Sequence, residues 1–160
     1  MTAASIGRRR SPTRSQLDDW RVFIETTEEL SAILTARLHR ETGLSQGDYK
    51  VLLALSESGD ERVRSSELAD VIGWERSRLS HHLGRMEQRG LITRVACETD
   101  NRGAEVTVTP EGASAFRRAT APHMHAIQEV FVDALDPRQI AALGDAARAL
   151  HAHLRDTRAP

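Results

Sequence analysis

Two short helical segments separated by a three-residue turn constrain the fold of this chain most strongly. The first is SSELADVI (65–72), the turn is Gly-Trp-Glu (73–75), and the second is RSRLSHHLGRMEQR, which stops at Gly90, a residue suited to the position after a helix. LITRVAC and AEVTVT follow, rich in β-branched residues and joined by the polar segment 100–103. This order predicts a helix-turn-helix pair followed by a β-hairpin.

Longer amphipathic helices are predicted on both sides of this unit. Apolar residues recur at three- and four-residue steps from Gln16 to about Arg40, and Ser45 is placed to cap a helix from Gln46 to about Ser56. The segment 62–64 leaves room for a minimal strand.

Two helices are predicted after the hairpin. Thr109 and Asp136 are each followed by proline, which gives an N-cap and a proline at the first helical position. The first of these helices is expected to reach about Leu135, and the second carries an apolar stripe on one side.

The predicted fold is mainly α with a small β wing. It consists of a winged helix-turn-helix lobe at 45–109, an N-terminal helix at 15–44 and C-terminal helices at 110–157, preceded by a disordered basic arm at 1–14. The apolar stripes of the flanking helices exceed what one small domain can cover, so we expect them to dimerise with a second copy of the chain.

The charge is distributed unevenly, although the formal net charge of the 160 residues is only −1. Residues 76–102 hold more arginines than acids. The six arginines are 76, 78, 85, 89, 94 and 102, and the three acids are 87, 98 and 100. No apolar run approaches the roughly 20 residues of a membrane span, and the N-terminus lacks the apolar core of a secretory signal, so we expect a cytoplasmic protein without a membrane partner.

The second helix of the pair has two distinct faces on a helical wheel. Leu79, Leu83 and Met86 share one side and are predicted to hold the helix to its domain. The opposite side carries small or hydrogen-bonding residues and includes Gly84, whose position inside a helix costs about 1 kcal/mol relative to alanine. Such a face suits the major groove of double-stranded DNA. Its members are Ser77, His81, Gly84, Arg85 and Gln88, with Arg78 and Ser80 at the flanks.

The predicted hairpin extends this surface. Arg94 lies on its first strand and Arg102 at its tip, and Asp100 can accept a hydrogen bond from the Arg102 guanidinium. The negative potential of the adjacent minor groove favours an inserted arginine. Asp100 is also simply a good turn former, which explains the turn but not the arginine.

These segments together resemble the MarR family of bacterial transcriptional regulators, over about residues 16–155. SSELADVIGWERSRLSHHLGRMEQRGLITR is similar to the family's helix-turn-helix and first wing strand, and DNRGAEVTVTPEG to its D-x-R wing motif. The resemblance implies a triangular dimer with interleaved terminal helices and one winged lobe on each half of a near-palindromic operator. Trp74 and Glu75 depart from the family pattern at the start of the recognition helix. The DNA-contacting positions it implies are Ser77, Arg78, Ser80, His81, Arg85, Asp100 and Arg102.

The resemblance also implies a small effector, often phenolic or anionic, bound between the dimerisation helices and the winged lobe. Aromatic and aliphatic residues at helical spacing are also ordinary core residues. The candidate wall residues are Trp20, Phe23, Ile24, His39, Tyr49 and Leu53.

The predicted function is therefore a ligand-responsive, non-enzymatic repressor without a cofactor. Catalytic motifs with recognisable spacing are absent from the sequence. A redox-responsive regulator acting through the single cysteine, Cys97, and a metal-responsive regulator remain alternatives. The histidine pairs at 123/125 and 151/153 have a helical spacing that separates their side chains, which disfavours a shared metal. A protein-interaction module that keeps the dimer but does not bind DNA is the further alternative.

Overall fold

The computed structural model describes residues 11–96 and 104–158. In chain order it contains six α-helices and three strands within those residues. They are α1 (Arg14–Thr42), α2 (Gln46–Glu57), β1 (Val63–Arg64), α3 (Ser65–Ile72), α4 (Arg76–Gln88), β2 (Ile92–Ala96), β3 (Ala104–Val108), α5 (Pro110–Ile127), a π-helical turn (Gln128–Val132) and α6 (Pro137–Arg158).

The chain divides into two compact units, Met1–Ile33 and Leu34–Pro160. The described part of the first unit consists mainly of the N-terminal two thirds of α1, which leaves several large apolar side chains exposed. Trp20 is 58% exposed, and its ring centroid lies 6.5 Å from that of Phe23. An amphipathic helix with an exposed apolar face is what the sequence predicts for a dimerisation helix.

The second unit contains the winged lobe and its core. The three strands form an antiparallel sheet in the order β1-β3-β2, with Val63 opposite Val106 and Arg94 also opposite Val106. Val106 is fully buried beneath the helices, together with Leu52, Leu68 and Leu83. The minimal strand predicted at 62–64 thus becomes the third strand of the wing, and the fold class is confirmed.

The starts of α2, α5 and α6 follow the predicted capping signals. Ser45 Oγ accepts a hydrogen bond from Asp48 N (3.1 Å), and Asp48 Oδ2 accepts one from Ser45 N (2.9 Å), which makes a reciprocal capping box on α2. Thr109 Oγ1 accepts from Gly112 N (3.0 Å) at the start of α5, and Asp136 Oδ1 accepts from Gln139 N (2.9 Å) at the start of α6. All three predicted N-caps are confirmed.

The structure differs from the sequence prediction in two places. α1 already includes Arg14, so the helix reaches into the segment predicted as the arm, whose residues 1–10 lie outside the described residues. The helix predicted to run from Pro110 to about Leu135 becomes π-helical over Gln128–Val132. Local widening of this kind is not encoded in hydrophobic spacing. α4 begins at Arg76, directly after the turn as the sequence predicts, and its N-cap Glu75 makes no side-chain capping bond.

Candidate nucleic-acid interface

The outer face of α4 consists of small and polar side chains in solvent. Leu79, Leu83 and Met86 on the inner face are at most 1% exposed, as the helical wheel predicts. The five residues of α4 predicted to contact DNA are all exposed on the described chain. They are Ser77, Arg78, Ser80, His81 and Arg85.

Gly84 lies among these residues and is half-buried. A Cβ atom at this position would lie 3.8 Å from Arg94 Nη2, an ordinary van der Waals distance. The fold of one chain therefore tolerates alanine at this position. Because glycine has no side chain, another molecule can approach the helix backbone closely at this position.

Arg94 ties the wing to α4. Its Nε and Nη2 donate to Glu87 Oε2 at 2.9 and 2.7 Å, and its backbone N–H donates to Oε1 at 3.0 Å. Hydrogen bonding to Arg94 lowers the pKa of Glu87. The Arg94 charge is thus matched within the chain, a pairing that sequence inspection did not foresee. Asp100 and Arg102 of the predicted wing contact lie outside the described residues, as does Cys97.

A buried carboxylate, Asp48, joins α2 to the middle and to the C-terminal end of α4. It is 2% exposed. Arg89 Nη1 donates to its Oδ2 at 2.6 Å, and Arg89 Nη2 donates to Gly43 O at 3.1 Å. Burial on its own would raise the pKa of Asp48, but hydrogen bonds from Arg89 and Ser45 outweigh it and lower that pKa. The carboxylate is therefore charged at neutral pH and anchors the C-terminal end of α4.

His82 is the second buried polar residue of this cluster. Its Nε2 lies 3.1 Å from Asp48 Oδ1, off the ideal hydrogen-bond direction, and its Nδ1 lies 3.0 Å from Arg85 Nη2. A guanidinium can only donate, so these contacts assign the Nε2–H tautomer, with Nδ1 as acceptor. A neutral imidazole thus holds the Arg85 side chain beside α2.

Burial, more than the surrounding charges, favours the neutral form of His82. Burial lowers its pKa most; Asp48 on α2 raises it, and Arg85 and Arg78 on α4 lower it further. Trp74, from the turn before α4, packs edge-on against the imidazole with centroids 5.2 Å apart. The net pKa lies below the ordinary value of 6.5.

The depressed pKa of His82 gives a pH dependence of stability. Below pH 6.5 the unfolded chain takes up a proton at this residue before the folded chain does, so the free energy of unfolding should fall as pH falls. Urea unfolding at several pH values between about 7.5 and 5 measures the slope. We expect His82→Asn to flatten it, whereas the exposed neighbour variant His81→Asn keeps it. Equal slopes in the wild type and His82→Asn would contradict this assignment.

Sequence inspection missed this cluster. It identified Ser45 as a cap but did not use the carboxylate three residues later, which completes the S-x-x-D capping box. On the helical wheel His82 lies between the core leucines and the flanking arginines, and this intermediate position is the available signal. The cluster also explains Gly47, because a Cβ there would lie 2.7 Å from His82 Cε1 and 2.9 Å from Trp74 Cη2.

The residues proposed to bind an effector are distributed over both units. Trp20, Phe23 and Ile24 belong to the first unit, and His39, Tyr49 and Leu53 to the second. Tyr49 is 6% exposed and packs against two rings of α5. They are Phe116, with centroids 5.2 Å apart, and His123, with centroids 4.6 Å apart.

His123 is the unusual member of this ring cluster. Its Nδ1 is buried and has no hydrogen-bond partner within residues 11–96 and 104–158, and burial lowers its pKa. Sequence inspection considered this histidine for metal binding alone. In the described part of the chain, no group of three or more histidine, cysteine or acidic side chains is arranged to hold a metal ion.

Both a protein-family model and solved structures match this chain. A MarR family model matches residues 42–103. The structure of AbsC, a MarR family transcriptional regulator from Streptomyces coelicolor, is 33% identical, with 92% of this chain and 99% of AbsC covered and a TM-score of 0.83. This chain belongs to the MarR family of transcriptional regulators. No curated protein matches the sequence.

A second MarR regulator from the same organism, Sco3205, was solved in complex with DNA. It is 34% identical over 91% of each chain, with a TM-score of 0.85. A more distant structure, the organohalide-sensing regulator RdhR-CbdbA1625 bound to 2,4-dichlorophenol, is 16% identical with a TM-score of 0.78, and shows the same fold. The family model covers the lobe up to the start of β3, and the Streptomyces structures extend the match to 91–92% of the chain. Among the described residues, no helix is long and apolar enough to cross a membrane.

Proposed function

We propose that this MarR-family chain is a repressor that binds a near-palindromic operator as a homodimer and releases it when a small ligand binds. The observation that carries the proposal is the exposed outer face of α4, with its small and hydrogen-bonding side chains around Gly84. The complex of the similar regulator Sco3205 with DNA supports it.

The outer face of α4 is proposed to enter the major groove. Ser77, Ser80 and His81 point outward from a helix whose inner side is locked in the core, so they can reach base edges with little rearrangement. With two-fold symmetry, the two recognition helices require half-sites about one helical turn apart, near 34–36 Å.

Exposed apolar side chains support the homodimer. On α6, Leu143, Leu150 and Leu154 are 38%, 43% and 47% exposed, and on α1 Trp20 and Phe23 are exposed as well. An apolar stripe at helical spacing is unfavourable in water and is typical of a helix that packs on a partner. A second copy of the chain supplies matching stripes.

The effector is proposed to bind beside the ring cluster of Tyr49, Phe116 and His123. Nδ1 of His123, which has no hydrogen-bond partner in the described part of the chain, can hydrogen-bond a hydroxyl group, and the rings offer an apolar wall. RdhR-CbdbA1625 with its dichlorophenol is an example of such a ligand on this fold. A phenolic ligand that releases operator from the wild type but not from His123→Leu would support this site; equal release from both would contradict it.

The proposed function is tested by a titration at two salt concentrations. Genomic fragments selected by the protein provide the operator, and a scrambled duplex is the control. A DNA-binding regulator prefers the operator and loses affinity for both duplexes as salt rises. A protein-interaction module would show neither behaviour.

His81→Ala tests whether α4 reads bases. Loss of a base-edge contact should reduce discrimination at particular base pairs by about 1–3 kcal/mol, with little change in affinity for the scrambled duplex. A panel of operators with single substitutions, measured by fluorescence anisotropy, gives the discrimination at each position. Uniform weakening at all positions would show that His81 contacts the backbone instead.

Arg102→Ala tests the proposed wing contact. Removal of an arginine that inserts into the minor groove should weaken binding to all duplexes and lower the slope of log K against log salt by about 0.9 per subunit. Arg138→Gln on α6 is the matched removal of a positive charge outside the lobe. A slope equal to that of Arg138→Gln would contradict a DNA contact by Arg102.

A further inference from the structure

A polar cavity of about 240 Å³ lies between the N-terminal end of α2 and the flank of α4. It borders the outer face of α4, with which it shares Arg78 and Arg85, and it was not singled out in the sequence. Its lining residues are Gln46, Gly47, Lys50, Trp74, Arg78, His82 and Arg85.

Three cations line this cavity without a matching carboxylate. Within residues 11–96 and 104–158, none of the ion pairs includes Lys50, Arg78 or Arg85. The nearby Asp48 carboxylate is 2% exposed and already accepts hydrogen bonds from Arg89 and Ser45. The cavity is therefore electropositive, and an anion is the ligand that suits it.

The surrounding residues fix two of these three cations, Arg78 and Arg85, in place. The Arg78 guanidinium carbon lies 4.4 Å from the ring centroid of Trp74, and Arg85 Nη2 donates to neutral His82. Gly47 allows Trp74 and His82 to pack directly against α2, where a side chain would collide with both. The first turn of α2 adds the favourable dipole of a helix N-terminus. Arg78 and Arg85 therefore need little further ordering when an anion binds.

We propose that this cavity binds one phosphate group of the DNA backbone beside the major groove entered by α4. The proposal rests on the proposed function and refines it, since it assigns Arg78 and Arg85 to the backbone and leaves base reading to the outer face. It adds Lys50 and Gln46 to the DNA contacts. Free inorganic phosphate has the same chemistry, so the test separates the two sources.

The first arm of the test measures DNA binding by Lys50→Gln. Loss of one phosphate contact should lower the slope of log K against log salt by about 0.9 per subunit, equivalent to about 3.5-fold between 50 and 200 mM salt. Arg138→Gln removes an exposed charge from α6 and should keep the wild-type slope. Both variants are checked for folding and for the wild-type oligomeric state by gel filtration. A wild-type slope in Lys50→Gln would overturn the proposal.

The second arm uses Trp74 as a probe in the cavity. The chain has two tryptophans, so Trp20→Phe leaves Trp74 as the only indole. Inorganic phosphate, titrated against chloride at constant ionic strength, should change its fluorescence, and the added Lys50→Gln substitution should abolish that change. A phosphate response combined with an unchanged DNA slope would show that the cavity takes the free ion and would overturn a backbone contact.

Failure of the proposed function gives a different result. In that case the wild type itself would show no salt-dependent binding to any duplex. This result would contradict the proposed contact with the DNA backbone together with the proposed function. The phosphate titration would then still decide whether the cavity binds an anion. If wild-type binding depends on salt and Lys50→Gln has the same salt slope as the wild type, the proposed function is supported and only the phosphate site is contradicted.

Discussion

Gly112→Ala is expected to destabilise the fold by about 3 kcal/mol, the largest effect of any glycine substitution considered for this chain. A Cβ at this position would fall inside van der Waals contact with Leu91 O and 2.8 Å from Leu91 C. Both atoms belong to the backbone and cannot turn away. Thr109, the N-cap of α5, also donates hydrogen bonds to this segment, from its backbone N–H to Leu91 O and from its hydroxyl to Gly90 O. A shift of α5 would disrupt these hydrogen bonds as well.

Gly84→Ala is the matched control. Its Cβ would have room, and alanine is the better helix former, so the free energy of unfolding should rise by about 0.5–1 kcal/mol. Urea unfolding of both variants measures the difference. Gly112→Ala within about 1 kcal/mol of the wild type would contradict the close packing of α5 on the segment before β2. If α4 enters a groove, Gly84→Ala should nevertheless weaken DNA binding.

Asp48→Ala is expected to cost about 2–3 kcal/mol of stability. The substitution removes the acceptor of Ser45 N, breaks the ion pair with Arg89 and leaves buried His82 without the carboxylate that faces its Nε2. The Arg89 side chain is 46% exposed and can turn toward water in the variant. Loss of its ion pair with Asp48 therefore contributes only modestly to the lost stability. Because Asp48 supports Arg85 through His82, DNA affinity should fall as well.

Unfolding at two pH values distinguishes this role from simple loss of packing. The pKa of Asp48 is lowered in the folded chain, so the stability that its charge provides is present above pH 3.8 and decreases as pH falls below it. The stability difference between wild type and Asp48→Ala should shrink in acid. Asp48→Asn, which keeps one acceptor oxygen, should lie between them. A difference that is independent of pH would contradict the charged, hydrogen-bonded carboxylate.

Much of the fold could be predicted from local signals. Ser45, Thr109 and Asp136 mark helix starts because each supplies an oxygen to N–H groups that the helix leaves unpaired. The core face of α4 followed from the spacing of Leu79 and Leu83. These features depend on a few neighbouring residues, so the sequence contains them directly.

The contacts that organise the site depend on residues far apart in the chain. Arg89 and Asp48 are separated by 41 positions, and neither a spacing rule nor a helical wheel joins them. The same applies to the cavity between Lys50 and Arg85, which exists because α2 and α4 pack at Gly47. Arg94 was predicted as part of the positive DNA-binding surface, and the structure pairs it with Glu87. Tertiary packing thus determines which arginines are available to another molecule.

Methylation interference on the selected operator tests most directly whether α4 reads the major groove. Dimethyl sulfate methylates guanine N7, an atom that lies in that groove. The methylated duplexes that the protein binds are then separated from those that it does not bind, and the methylated positions in the two fractions are compared. We predict that methylation at two clusters of guanines, about 10 base pairs apart, prevents binding. Binding that is unaffected by guanine methylation throughout an operator containing guanines in both half-sites would contradict the account.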